Sequence, residues 1–227
     1  GTLGECLDII ECVERTGRKY MLAANCPKMV GPAELERVYK SGQLGDVLYA
    51  EAEYSHPTKD RAESLMLAGT DTHWRRYLPG IYYNMHSLGV LISATGLMPR
   101  RVMAMDVCTK STLESDQVYY NKSPGGIALY EMENGAVFRS TGCCRISSPG
   151  GKWFRLSCDK GTIETTRENQ DRVLLHMNDK VGCSMYDPDE QYTEEEKEIG
   201  GHGGADARLC KQVCDYLSGK VEEPIFD

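Results

Sequence analysis

Ile127-Ala128-Leu129-Tyr130-Glu131-Met132-Glu133-Asn134-Gly135-Ala136-Val137-Phe138-Arg139-Ser140-Thr141-Gly142-Cys143-Cys144 decides the fold. An Asn-Gly pair between runs rich in β-formers is the strongest short hairpin signal, because a tight turn between twisted strands needs positive φ at its centre. The reading is two strands, 127–132 and 136–144. Downstream, 153–158 and 162–166 flank Asp159-Lys160-Gly161 as a second hairpin, and 173–177 is a further strand. The predicted core is an antiparallel meander.

Working upstream, residues 46–56 alternate. Leu48, Ala50, Ala52, Tyr54 and His56 share one face of a predicted strand, and Val47, Tyr49, Glu51, Glu53 and Ser55 share the other. Residues 57–79 read as irregular and contain His73-Trp74-Arg75-Arg76-Tyr77. A long helix over 80–95 carries Ile81, Met85, Leu88 and Ile92 as its apolar stripe and ends at Gly96. A shorter helix over 32–40 (Leu35, Val38 and Tyr39 on one side) closes at Gly42. A last helix begins near Gly204, buries Leu209, Cys210, Val213 and Leu217, and stops at Gly219. The chain opens on a helix with Cys6, Ile9, Ile10 and Val13 at helical spacing and Gly17 as its cap, followed by 20–24 as a short buried strand. A helix–strand unit with nothing before it has no sheet to join. The expected class is α+β: an open, mostly antiparallel sheet with helices on one face.

The 227 residues carry a net charge of -8, which argues against nucleic acid or an anionic membrane as the main partner. No run of about 18 apolar residues spans a membrane. The acidic run 194–196 reads as a solvated loop or helix start. Ten cysteines without a CxxC pair are scattered rather than grouped as zinc ligands. Reduced thiols in a cytoplasmic protein are expected, with Cys6, Cys12, Cys210 and Cys214 inside helices, Cys158 in a strand, and no metal.

Among five histidines, His86 is the first candidate for proton transfer. On a helix, Tyr82 and Tyr83 lie four and three residues before it, so both phenols can stand beside the imidazole. The same spacing suits a core histidine bonded to a backbone carbonyl. Tyr54 and His56 end a strand before Pro57, where ligand contacts and ordinary edge residues both occur. Gly200-Gly201-His202-Gly203-Gly204-Ala205-Asp206 allows close backbone approach before a helix N-terminus, and Asp206 either bonds sugar hydroxyls or caps that helix. His176, between Leu175 and Met177, reads as structural. No G-x-G-x-x-G follows a strand, since Gly125-Gly126 and Gly150-Gly151 lack that context.

Arg18-Lys19-Tyr20-Met21-Leu22-Ala23-Ala24-Asn25, Ser41-Gly42-Gln43-Leu44-Gly45-Asp46-Val47, Ala52-Glu53-Tyr54-Ser55-His56, His86-Ser87-Leu88-Gly89 and His202-Gly203-Gly204-Ala205-Asp206 occur in an order that resembles the Gfo/Idh/MocA oxidoreductase family over almost the whole chain. The resemblance implies a Rossmann domain binding NAD or NADP, followed by a dihydrodipicolinate-reductase-like sheet domain that holds a sugar- or cyclitol-like alcohol against the nicotinamide. Residues 1–25 then correspond to the last helix and strand of the Rossmann domain, and 26–227 to the substrate-binding and oligomerisation domain. The glycine fingerprint and a Glu-Lys-Pro segment would precede Gly1, and relatives continue past Phe226-Asp227. The expectation is a fragment that binds no NAD(H) alone and pairs as a homodimer through its open sheet.

Carried over by position, His86 is the acid/base with Tyr82 and Tyr83 alongside. Asn25, Tyr54, His56, Trp74, Arg75, His202 and Asp206 contact substrate, and Asn25 also faces the cofactor. Two departures stand out: Tyr82 where many members have Asp, and Ala23-Ala24-Asn25 where near relatives read Ala-Glu-Asn. The expected activity is hydride transfer from a secondary alcohol. The alternatives are NAD-dependent glycoside hydrolysis, suggested by the Tyr-x-His and Tyr-x-x-His pairs, and a non-catalytic dimerisation module.

Overall fold

In a computed structural model describing residues 2–57, 61–114, 118–143, 146 and 151–222 (backbone only at 61 and 62), the strands form one open sheet. These are β1 (Val47–Ser55), β2 (Pro99–Asp106), β3 (Gly125–Met132), β4 (Val137–Cys143), β5 (Gly151–Cys158), β6 (Gly161–Thr165), β7 (Val173–Met177) and β8 (Cys183–Tyr186). They pair in the order β2-β3-β4-β1-β5-β6-β7-β8. Both predicted hairpins form, and the Asn-Gly turn places Gly135 at φ 87°. Cys144, Gly150, Phe226 and Asp227 lie outside the described residues.

The meander is interrupted. β1 inserts between the hairpins, parallel to β4 and antiparallel to β5, while every other pairing is antiparallel. Its small core residues, Ala50 and Ala52, let helices approach the sheet, with Tyr54 buried beyond them. The predicted alternation fails at its start. A register shift between Val47 and Tyr49 turns Val47 into the core and leaves Leu48 exposed, because a bulge flips side chains to the other face.

The helices are α1 (Leu3–Thr16), α2 (Val30–Lys40), α3 (Arg61–Ala68), α4 (Leu88–Thr95), α5 (Lys110–Leu113), α6 (Glu194–Ile199) and α7 (Ala205–Leu217). Leu35 and Val38 of α2 and Val90, Leu91 and Ala94 of α4 pack on Phe138, Phe154, Leu156 and Ile163 from the sheet. The opposite face carries the ion pairs Arg139–Glu51 (2.8 Å) and Arg155–Glu51 (3.5 Å), with Arg155 also held by Glu164.

Residues 80–95 are not one α-helix. Gly80–His86 is a 3₁₀ segment and α4 starts at Leu88. A buried polar network holds this segment on the sheet: Ser87 Oγ lies 2.6 Å from Ser140 Oγ, and Asn84 bonds Tyr130 and Ser140. Those strand partners outweigh regular α-helical bonding there. Residues 57–79, expected to be irregular, contain α3 and a 3₁₀ turn at Trp74–Arg76.

α1 forms as expected. Thr2 and Glu5 cap it reciprocally, and Gly17 (φ 62°) returns its N–H to Val13. No residue of α1 is buried. The predicted strand 20–24 does not pair: no strand stands beside it among the described residues, and Tyr20 and Leu22 stay exposed.

The helical cysteines are exposed too, because only the first turns of α7 press on the core, through Ala205, Ala207 and Leu209. Cys210 and Leu217 face out, against expectation. The nine described cysteines are free, and burial pushes Cys26 up to about 11 and Cys158 up to about 12. Among the described residues no helix is long and apolar enough to cross a membrane, and no His/Cys/Asp/Glu group could hold a metal.

Candidate active site

The 3₁₀ segment determines which tyrosine meets His86. With three residues per turn, positions i and i+3 eclipse, so Tyr83 stacks beside the imidazole and Tyr82 turns away. Tyr83 and His86 ring centres lie 5.0 Å apart, edge to face. Tyr82 packs instead on Trp74 (5.2 Å) and Tyr83 (4.4 Å). The sequence reading, which placed both phenols beside the imidazole, is corrected for Tyr82.

β1 supplies the opposite wall. Tyr54 lies 4.6 Å from His86 and stacks on Tyr83 at 5.5 Å, while His56 at the strand's end lies 6.4 Å from Tyr83. Arg75 stands over Trp74 and Tyr83 at 5.2 and 5.1 Å, so the Trp74–Arg76 turn forms the outer rim.

The third wall joins residues 177 or more apart in sequence. His202 Nδ1 lies 2.9 Å from Asp206 Oδ2 and 3.0 Å from Asn25 Nδ2, and Asn25 donates to Asp206 Oδ1 at 2.8 Å. The carboxylate favours the tautomer with its proton on Nδ1, leaving Nε2 as an acceptor. Burial pushes the Asp206 carboxyl up, but hydrogen bonds from His202 and Asn25 outweigh this and hold it below the usual range. His202 has φ 49°, the one positive φ outside glycine among the described residues, a type of strain that gathers at working sites. Gly201 is required beside it, since a Cβ there would lie 2.3 Å from Asp206 Oδ2 on a backbone with φ 74°.

Asn25 and His86 line one small cavity with Ala23, Ala24, Cys26 and Met85. His86 Nδ1 is buried without a hydrogen-bond partner of normal geometry. Burial, then the charges of Lys152, His202 and Arg75, push the His86 pKa down to about 4, which the Tyr83 backbone only partly offsets. His86 is therefore a neutral imidazole at pH 7.

The folded state thus binds this proton less readily than the unfolded chain does. Stability from His86 is complete above its ordinary value of 6.5 and is lost as pH falls toward 4. Denaturation between pH 7 and 4 should show a loss on the order of 2 kcal/mol that His86→Asn removes, discounting the full shift for water in the cleft. An identical slope in the variant refutes the assignment.

Lys152, at the start of β5, was not anticipated. It pairs across the strands with Tyr54 and places Nζ 5.8 Å from that ring. Only strand register could have revealed it. His176, read as structural, bonds the Gly182 carbonyl at 3.1 Å.

No protein-family model and no curated protein sequence matches the chain. Solved structures do. An inositol dehydrogenase homolog from Azotobacter vinelandii, complexed with NADH and myo-inositol, aligns with TM-score 0.68 at 16% identity over 96% of this chain and 59% of its own. An oxidoreductase from Agrobacterium radiobacter in complex with NAD+, L-tartaric acid and magnesium gives TM-score 0.72 at 13% identity over 96% and 60%. Aldose-aldose oxidoreductase from Caulobacter crescentus, complexed with glycerol, gives 0.67 at 16% over 99% and 61%. At these identities the likeness is one of fold, and the chain spans about 60% of each neighbour's length.

Proposed function

We propose that the chain is the substrate-binding part of a Gfo/Idh/MocA-type oxidoreductase that takes a hydride from a secondary alcohol of a sugar- or cyclitol-like polyol. Residues 1–25 are assigned to the edge of its nucleotide-binding domain and 26–227 to the substrate domain. The observation that carries this reading is the neutral, partly buried His86, whose Nδ1 has no hydrogen-bond partner of normal geometry, lining a cavity with Asn25 beside the rings of Tyr54 and Tyr83. The fold neighbours crystallised with NADH and myo-inositol, and with NAD+ and L-tartaric acid, support it.

The residues of this cavity fit the reacting end of a nicotinamide: Ala23 and Ala24 are small, and His86 Nδ1 is an orphaned polar atom beside Asn25. NAD(P), when bound, supplies the hydride acceptor. His86, neutral at working pH, accepts the proton of the reacting hydroxyl. The Tyr54 and Tyr83 rings shield it from water. Asn25 donates to Asp206, Asp206 orients His202, and His202 Nε2 offers an acceptor to a neighbouring hydroxyl. Trp74, Arg75 and His56 contact the substrate from the rim, and Asn25 stands nearest the cofactor.

The test is NADH or NADPH formation by the full-length protein against a panel of polyols and sugars. Net reduced cofactor supports dehydrogenation. Release of an aglycone from glycosides without net reduction would instead select the glycosidase reading, and neither product would refute both.

The homodimer rests on the open face. Met103, Met105, Ile127, Leu129 and Val137 are exposed on neighbouring strands there. A continuous apolar patch of this kind is a surface to be covered. Light scattering at micromolar concentration should give twice the chain's mass, and Leu129→Glu should halve it. A wild-type monomer overturns this.

A further inference from the structure

Five partly or fully buried arginines among the described residues hold a carboxylate: Arg76 pairs with Asp71, Arg139 with Glu51, Arg155 with Glu164, Arg172 with Asp187 and Arg208 with Glu196. Arg75 is the exception. It is half-buried and stands over the rings of Trp74 and Tyr83, and it meets no acidic group among the described residues. Lys152 is also half-buried, stands over Tyr54, and likewise makes no ion pair among them. These two tyrosines stack on each other at 5.5 Å, so both cations, neither of them in an ion pair among the described residues, border one aromatic platform beside His86.

We infer that the polyol bound on this platform carries an oxyanion, a carboxylate or a phosphate, and that Arg75 and Lys152 hold it. This rests on reading the cleft as a polyol site. A half-buried cation without a counter-ion carries a desolvation cost that an incoming anion removes. The guanidinium offers a planar fork for two oxygens, and the ammonium adds a movable point charge. In a chain of net charge -8, unpaired cations gathered at one cleft are not a general surface property. Both charges also depress His86 protonation, which places them within electrostatic reach of the reacting group. Asp206 is hydrogen-bonded by Asn25 and His202, and although Lys152 acts on it and on Asp171 through its charge, no carboxylate among the described residues forms an ion pair with Arg75 or Lys152. A bound oxyanion would neutralise part of the field at His86 and make it a stronger base once substrate is seated.

The experiment is calorimetric titration of the full-length protein with D-glucuronate, glucose phosphate and D-glucose. Wild type is compared with Arg75→Gln, Lys152→Met and the charge-keeping Lys152→Arg, each checked for an unchanged melting curve. Either anionic sugar should bind about tenfold or more tightly than glucose, and which one does identifies the oxyanion. Arg75→Gln and Lys152→Met should each lose about tenfold, and Lys152→Arg should retain the preference. Equal affinity for glucose, binding of none of the three, or an anion preference unchanged in both neutral variants overturns the inference. If anion binding behaves as expected but reduced cofactor never forms, the oxidoreductase reading fails and the anion site stands.

Discussion

His86→Ala in the full-length protein is expected to lower kcat by about a hundredfold or more, the usual scale for losing a positioned acid/base. The melting temperature at neutral pH should hardly change. The imidazole is neutral there, its Nδ1 makes no hydrogen bond of normal geometry, and the 3₁₀ segment is held by Asn84 and Ser87 rather than by His86. Structural and catalytic roles therefore separate cleanly. A variant that melts early but keeps wild-type kcat in its folded fraction would make His86 a packing residue, and the proposed chemistry would fail. His86→Asn, measured alongside, should be equally slow, because an amide of similar size cannot take the proton.

Phe154→Ala is expected to cost about 3–5 kcal/mol, read as a lower denaturant midpoint at unchanged slope. Phe154 is fully buried on β5 directly across from Ala52. The facing β1 positions are alanines, so no large neighbour stands opposite to fill the space, and the cavity persists. Its backbone N–H, bonded to Thr165 Oγ1 at 3.1 Å, is unaffected. A cost below about 1 kcal/mol would show that the sheet and helices collapse onto the gap, contrary to the close packing of protein cores.

The parts of the fold legible in the sequence are those specified locally. Asn134-Gly135 and Lys160-Gly161 mark turns, and Gly17, Gly42 and Gly96 end helices through positive φ. What was illegible depends on distant partners. β2 shows no apolar–polar contrast because all its residues are exposed, and β8 is only four residues long. The placement of β1 depends on strands about ninety residues away, and the 3₁₀ geometry of 80–86 on Tyr130 and Ser140. The same division holds at the cleft. His86, Tyr54 and His202 stand out as residue types in unusual settings, whereas Lys152 is an ordinary lysine until the pairing of β1 with β5 sets it opposite Tyr54.

The position of β1 also constrains how the chain reaches this state. Each hairpin, β3–β4 and β5–β6, closes over a short loop, but β1 precedes both and must enter between them. The entropy of closing so long a loop must be met before its contacts form. Until then β4 and β5 each present an open edge at what becomes the middle of the sheet. A refolding chain should thus pass through a slow phase in which the hairpins are protected from hydrogen exchange before β1 is. During that interval a strand from another molecule competes for the same position, so refolding yield should fall as protein concentration rises.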